Sequence, residues 1–286
     1  MDEKELLKER FKAAVSSAVR AISGNFDLDI KFDNNSSEKK NSLNLPEIIN
    51  LEKLQDFTNF RAFADSEALK IKYTNEKIYL KNQPKGSMAK ALYAIAEKIR
   101  YEKIGCDKLK GVKNNITQCY ENKFKNKKID EIRTEADVPI TEAFELYLRC
   151  HFFNIKKNQT TKKVLSYWED LFNKNLNKKL NQLDDCVDDQ NKFNQLIADL
   201  IENLNFEDTD TKEKENKEES TNKDSSSSEE NKEQENLSQK EEKESKDSNL
   251  SVMDSSFDPL NEKEDSNQEE GEITGDSNLL DNNLKN

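Results

Sequence analysis

The chain has 286 residues and a net charge of −12, and that charge is unevenly distributed. Residues 1–206 carry 36 Lys+Arg against 32 Asp+Glu, whereas residues 207–286 carry 10 against 26 and contain one aromatic, Phe257. A Ser/Glu/Lys/Asn segment of this kind cannot bury enough apolar surface to offset an ordering cost of ~1–2 kcal/mol per residue, so 207–286 reads as a disordered acidic tail behind a body spanning 1–206.

No apolar run reaches the ~18 residues of a membrane-spanning helix, and the charged opening Met1-Asp-Glu-Lys-Glu lacks the apolar stretch of a secretion signal. No membrane contact and a cytoplasmic location are expected. Cys106, Cys119, Cys150 and Cys186 lie 13, 31 and 36 residues apart, with no C-x-x-C pair. They read as small buried hydrophobes in a reducing compartment rather than zinc or redox groups.

In chain order, Leu6, Leu7, Phe11, Ala14, Val15, Ala18, Val19 and Ile22 recur at helical spacing up to Gly24. Leu28, Ile30 and Phe32 alternate as a short half-buried strand, and 33–44 reads as a loop. Ile48, Leu51 and Leu54 suggest a short helix; Phe60, Phe63, Ala64, Ala68, Leu69 and Ile71 suggest another. The run Ile78-Tyr-Leu80 is too short to assign. Pro84 suits the entrance of a helix carrying Met88, Leu92, Ile95, Ala96 and Ile99 on one side, and Gly105 suits its left-handed end. A helix over 109–124 turns Val112, Ile116 and Cys119 inward. Thr141 and Thr160 read as caps of helices carrying Phe144, Leu148 and Phe152, and then Val164, Leu165, Trp168 and Leu171. A last helix runs over 178–204. The fold class is mainly α, with at most a short β-strand or hairpin.

Several chemistries lack their residues. There is no G-x-x-x-x-G-K-S/T phosphate cradle and no G-x-G-x-x-G turn. The only histidine, His151, adjoins Cys150, but helical neighbours point about 100° apart, which disfavours a Cys–His nucleophile. Asp184, Asp185, Asp188 and Asp189 read first as a solvated face rather than a hard-cation site. The body lacks a concentrated basic stripe, so no nucleic-acid partner is expected.

The segment Glu97-Lys-Ile-Arg100-Tyr-Glu102-Lys-Ile104-Gly105 is the most informative in the chain. Glu97 and Arg100 share a helix face, and the bland alternative is a solvated stripe worth only ~0.3–0.5 kcal/mol per pair. The stretch from Ala94 to Asn115 resembles the E-x-x-R-x-E-x-I-G and G-V-x-x-N pattern of the CobT family, subunits of the aerobic cobaltochelatase. Arg61-Ala62-Phe-Ala-Asp65-Ser66-Glu-Ala-Leu69 resembles the family's R-G-x-A-D-S-x-A-L, with Ala62 replacing the glycine. Phe11-Lys-Ala-Ala, Arg20 to Gly24, Asp27 to Phe32, Ile129 to Ile132, Ala136-Asp137, Trp168 and Asp189-Gln190-x-x-Phe193 also fit.

The resemblance implies a helical body followed by an acidic linker, acting as a non-ATPase accessory subunit in cobalt insertion into the corrin ring. Its implied partners are an AAA+ ATPase subunit and a large subunit that holds corrin and cobalt. ATP, Mg and cobalt are then expected on those partners, with no cofactor, metal or catalytic residue on this chain. Asp65, Ser66, Glu97, Arg100, Glu102, Gly105, Gly111 and Asn115 become candidates for structural or partner contacts. The D-x-S-x-S motif of the family's von Willebrand A-type domain is not found, and Asp254-Ser-Ser lacks its spacing; a fragment, a split gene or a shortened member is the expectation. Two other classes remain open: an interaction adaptor unrelated to cobalamin, and an enzyme using Glu97, Arg100 and Glu102 as acid–base groups.

Overall fold

The computed structural model describes residues 3–33, 41–48, 53–126, 129 and 132–204. Among them are ten α-helices and one two-stranded sheet. Helix α1 (Glu3–Ser23) leads through Gly24, at φ 73°, into strand β1 (Asp29–Phe32), which pairs in parallel with β2 (Ser42–Leu45), Asp29 facing Ser42. Helices α2 (Leu54–Tyr73), α3 (Glu76–Asn82), α4 (Ser87–Lys108) and α5 (Lys110–Asn126) follow. Then come α6 (Ile140–Phe153), α7 (Gln159–Ser166), α8 (Glu169–Asn175), α9 (Leu180–Asp185) and α10 (Gln190–Glu202). The mainly-α reading with a minimal sheet holds. The acidic tail and the end of the first domain lie outside the described residues.

Helix α4 is the axis of the fold. It touches α2, α5, α6 and α10, and Leu92, Ala96, Ile99 and Ile104 are buried along it. The first helix joins through aromatics: Phe11 meets Phe57 and Phe60 edge-on at 5.0 and 5.7 Å, and Phe60 stacks on Phe32 of β1 at 6.2 Å. Such ring pairs add about 0.5–1.5 kcal/mol each beyond their area burial.

Several local expectations are corrected. The loop read over 33–44 contains the start of β2, because Leu43 and Leu45 alternate inward as Ile30 and Phe32 do. The helix suggested around Ile48 and Leu51 falls partly outside the described residues. The unassigned Ile78 run is α3, started by Asn75, whose side chain accepts from the backbone N–H groups of Lys77 and Ile78. Pro84 precedes α4 rather than opening it; Gly86, at φ 88°, makes the turn, and Met88 is exposed at the first turn. Thr141 lies inside α6, which starts at Ile140 behind Pro139, and Asn158 rather than Thr160 caps α7 through the Thr161 N–H at 2.8 Å. The helix expected to include Trp168 and Leu171 breaks into α7 and α8. The final helix also breaks, at 186–189, where Asp189 takes the Lys192 N–H and restarts the chain as α10.

Gly105 does not end its helix; α4 continues to Lys108. Its role is close approach. A Cβ placed there would meet the Leu69 methyl carbons at 2.3 and 2.4 Å, and Leu69 is fully buried at the α2–α4 crossing. Gly111, in the first turn of α5, has nothing within 4 Å of an added Cβ. The two glycines therefore predict opposite outcomes in chemical denaturation. Gly105→Ala should lose about 1–3 kcal/mol through overpacking. Gly111→Ala should be neutral or gain up to ~0.5–1 kcal/mol from backbone entropy.

Candidate functional site

The charged residues singled out on α4 point into the protein. Arg100 and Glu97 are each about 1% exposed and form a two-pronged pair: Nε donates to Glu97 Oε2 and Nη2 to Oε1, both at 2.8 Å. Parallel donation of this kind gives an ion pair both strength and orientation. Two further guanidinium donors go to main-chain carbonyls, Nη1 to Val187 O at 3.2 Å and Nη2 to Tyr73 O at 2.5 Å. Glu97 Oε1 also accepts from Thr74 Oγ1 at 2.9 Å and Gln190 Nε2 at 3.0 Å. Gln190 closes the circuit on Asn75, accepting its N–H at 2.8 Å and donating to its carbonyl at 3.3 Å. One buried pair thus fastens the end of α2, the α2–α3 turn, the α9–α10 break and the start of α10 to α4.

Glu102 does not join Arg100. It faces the opposite side of α4 and meets Arg149 of α6, whose Nη2 lies 2.8 Å from Glu102 Oε2. The N–H is not aimed along that line, so the contact is a Coulombic pair rather than an aligned hydrogen bond. Ser66 Oγ donates to Glu102 Oε1 at 2.5 Å, and Arg149 Nε donates to Glu145 Oε1 at 3.0 Å. The Arg149 Cζ lies over the Tyr120 ring, 3.3 Å from its centroid, so α5 also joins the cluster.

Electrostatics decide the ionisation here. Burial opposes the Glu145 carboxylate, but Lys123, Arg149 and Lys98 outweigh it and draw its pKa down to about 2. Burial likewise opposes the Arg149 cation, and Glu102, Tyr120 and Glu145 hold its pKa above the ordinary arginine value. Cys106 and Cys119, beside this cluster, are pushed up to about 12 chiefly by burial, so both are thiols at neutral pH.

A third cluster involves Asp65, which is completely buried. Its oxygens accept from Arg61 Nη2 at 2.6 Å and from Asn115 Nδ2 at 2.8 Å. Desolvation raises its pKa against the pull of Arg61 and Asn115. The candidate residues therefore meet in pairs: Ser66 with Glu102 and Asp65 with Asn115 across helices, and Glu97 with Arg100 within α4. Gly105 packs against Leu69 of α2. Only Gly111 is exposed without such a role.

Sequence reasoning missed Arg149 and Glu145. Their signal is a Glu–Arg pair four apart inside Ile140-Thr-Glu-Ala-Phe-Glu-Leu-Tyr-Leu-Arg-Cys-His-Phe-Phe153, a helix otherwise apolar nearly all round. The carbonyl contributions of Tyr73 and Val187 carry no sequence signal. Glu97, Arg100 and Glu102 do not converge as acid–base groups, because Glu102 turns to another helix. His151 Nε2 lies 2.7 Å from Asp184 Oδ2 in a half-exposed contact away from these clusters. Among the described residues, no three His, Cys, Asp or Glu side chains gather as metal ligands, and no helix is long and apolar enough to cross a membrane.

The paired positions are those of the E-x-x-R-x-E-x-I-G and A-D-S stretches, and the wider sequence agrees. The family model described as cobalamin biosynthesis protein CobT matches residues 6–279. The chain belongs to the CobT family. No solved structure matches the chain. Membership places it in cobalamin biosynthesis and relates it to cobaltochelatase. In this CobT-family chain, Asp65, Ser66, Glu97, Arg100 and Glu102, which carried part of the resemblance, are buried and tie α2, α4, α5, α6 and α10 together.

Arg100→Ala strands Glu97 in the interior and should cost about 3–5 kcal/mol in denaturant unfolding. A Glu97→Leu/Arg100→Met double variant should lose less than the sum of the two single changes, by about 1–3 kcal/mol. A carboxyl held low in the folded state stabilises above its unfolded pKa and loses that contribution as pH falls through the folded value. Glu145 should therefore contribute roughly 3 kcal/mol that disappears between about pH 5 and pH 2. Asp65, with its raised pKa, contributes in the opposite sense. Glu145→Gln should flatten the acid limb of unfolding free energy against pH, whatever its effect at neutral pH.

Proposed function

We propose that this CobT-family chain is a non-ATPase accessory subunit of an ATP-dependent aerobic cobaltochelatase. It docks on the AAA+ ATPase subunit and couples that subunit to the large subunit that holds corrin and cobalt. ATP and Mg are bound by the ATPase partner; cobalt and corrin are substrates held by the large one. The observation that carries the reading is where the family pattern falls. Its charged residues are spent on joining helices, leaving a rigid body suited to transmitting a partner's movement rather than to binding a reactant.

The mechanism assigned to this chain is mechanical. A subunit that couples two others must not deform internally when pushed. The Glu102–Arg149 pair joins α4 to α6, and the Glu97–Arg100 pair within α4 is hydrogen-bonded to Tyr73, Thr74, Val187 and Gln190, so displacement of α6 would separate charges and displacement of α2 or α10 would strip hydrogen bonds from a buried ion pair. That resistance lets strain applied at one surface reach another.

Reconstitution tests this reading. Purified with its AAA+ and large partners, the chain should co-elute with the ATPase subunit and be required for cobalt insertion, while hydrolysing no ATP alone. A Glu97→Gln variant that remains folded but loosened should retain assembly and lower insertion per ATP hydrolysed. Full insertion by the other two subunits without this chain, or ATPase activity tracking with it through purification, would overturn the assignment.

A further inference from the structure

Behind the Arg100 anchor, the surface where α2 ends and α4 runs into α5 gathers exposed lysines. Tyr73, whose carbonyl holds Arg100, has two lysines over its ring: Lys108 Nζ at 5.0 Å and Lys72 Nζ at 5.5 Å from the centroid. The ring face attracts each ammonium group, so two positive charges gather at one residue and make a local site that an anion can use. Lys110 and Lys113 continue the charge on the exposed opening turns of α5. None of these four lysines forms an ion pair with a carboxylate among the described residues, whereas Lys103 nearby holds Asp107 at 2.8 Å. Two apolar side chains flank the patch, Ile71 and Leu109, each 39% exposed.

The same chain contains a segment of the complementary kind. Residues 254–276 hold nine carboxylates and one lysine, together with Phe257, Leu260 and Ile273. We propose that this acidic segment of the chain docks on the Tyr73–Lys72–Lys108 patch. Its carboxylates would pair with Lys72, Lys108, Lys110 and Lys113, and Phe257 or Leu260 would cover Ile71 and Leu109. Reach does not limit the contact. Helix α10 begins against Asn75, two residues from Tyr73, and its 13 residues carry the chain only about 20 Å away. The 49 residues between Leu204 and Asp254 span several times that distance at ~3.3–3.6 Å each. Because the segment is tethered, each charge pair can be weak and the contact still populated.

The function follows from position. The patch lies on the α2 end that Arg100 fastens, so a docked segment shields this face, and a partner surface carrying its own carboxylates must displace it. This regulation stands apart from the chelatase assignment, since it depends only on residues of this chain.

Zero-length carbodiimide cross-linking of the full chain, read by mass spectrometry, tests the proposal. Lys72, Lys108 and Lys110 should join carboxylates of 254–276 within a single copy. An equal mixture of isotopically light and heavy protein should give no mixed pairs. The yield should fall about fivefold or more between ~0.01 M and ~1 M salt, as the Debye length shrinks from ~30 to ~3 Å. It should also fall when the nine carboxylates are changed to Asn and Gln, a variant that leaves the described helices untouched. Cross-links spread evenly over other exposed lysines such as Lys4, Lys8 and Lys192, none to the patch, or pairs joining two copies would each overturn it.

Discussion

The structure depends on burying Arg100 beside Glu97 without leaving either charge uncompensated. Moving a lone guanidinium or carboxylate from water into a protein interior costs several kcal/mol, and pairing alone does not reliably repay it. Here the repayment comes from the main chain. Carbonyls of Tyr73 and Val187 take the donors that Glu97 cannot, and Thr74 and Gln190 supply donors to the carboxylate. Each partner must therefore be where it is. The end of α2 and the break before α10 are placed as much by a charge that needs satisfying as by apolar contact.

The second pair extends the logic to the other side of α4. Arg149 stands on an almost wholly apolar helix, and Tyr120, Glu102 and Glu145 surround it from α5, α4 and α6. Apolar contact alone would tolerate small rotations of one helix on another. Two charge pairs on different sides of the axis helix do not, because each fixes a different azimuth. With Gly105 letting Leu69 lie against the α4 backbone, the crossing of α2 and α4 is set in rotation, depth and register.

Much of this was legible in the sequence. Helical spacing located the apolar faces of α1, α2, α4, α5 and α6, since a buried stripe leaves its period in the chain. The importance of Glu97 and Arg100 was visible too, but not their partners. Glu97–Arg100 and Lys103–Asp107 look alike as helical pairs, yet the first is buried and the second exposed, and spacing cannot tell them apart. The breaks at Trp168 and at 186–189 were missed because the apolar period continues across them. The decisive signal at the second was Asp189 acting as a cap, hidden among four aspartates that read as a solvated face. Strand β2 was hidden by Asn41, Ser42 and Asn44, polar residues that read as loop until β1 is present to pair with them.

These placements bear on where partners can touch the protein. Asp65, Ser66, Glu97, Arg100 and Glu102 are too deeply buried to meet another subunit directly. They can influence assembly only through the orientation of the helices they hold. On the proposed function, contact with a partner is made by the outward faces of those helices, where the sequence pattern is silent and exposed lysines such as Lys72, Lys108, Lys110, Lys113 and Lys192 recur. A surface of that composition recognises by charge distribution more than by shape. Its specificity depends on the helices keeping a fixed spacing, because a charge pattern displaced by one helical turn meets the wrong residues. On the proposed function, the buried pairs and the external charges act together: the interior sets the positions at which a partner would read the exterior.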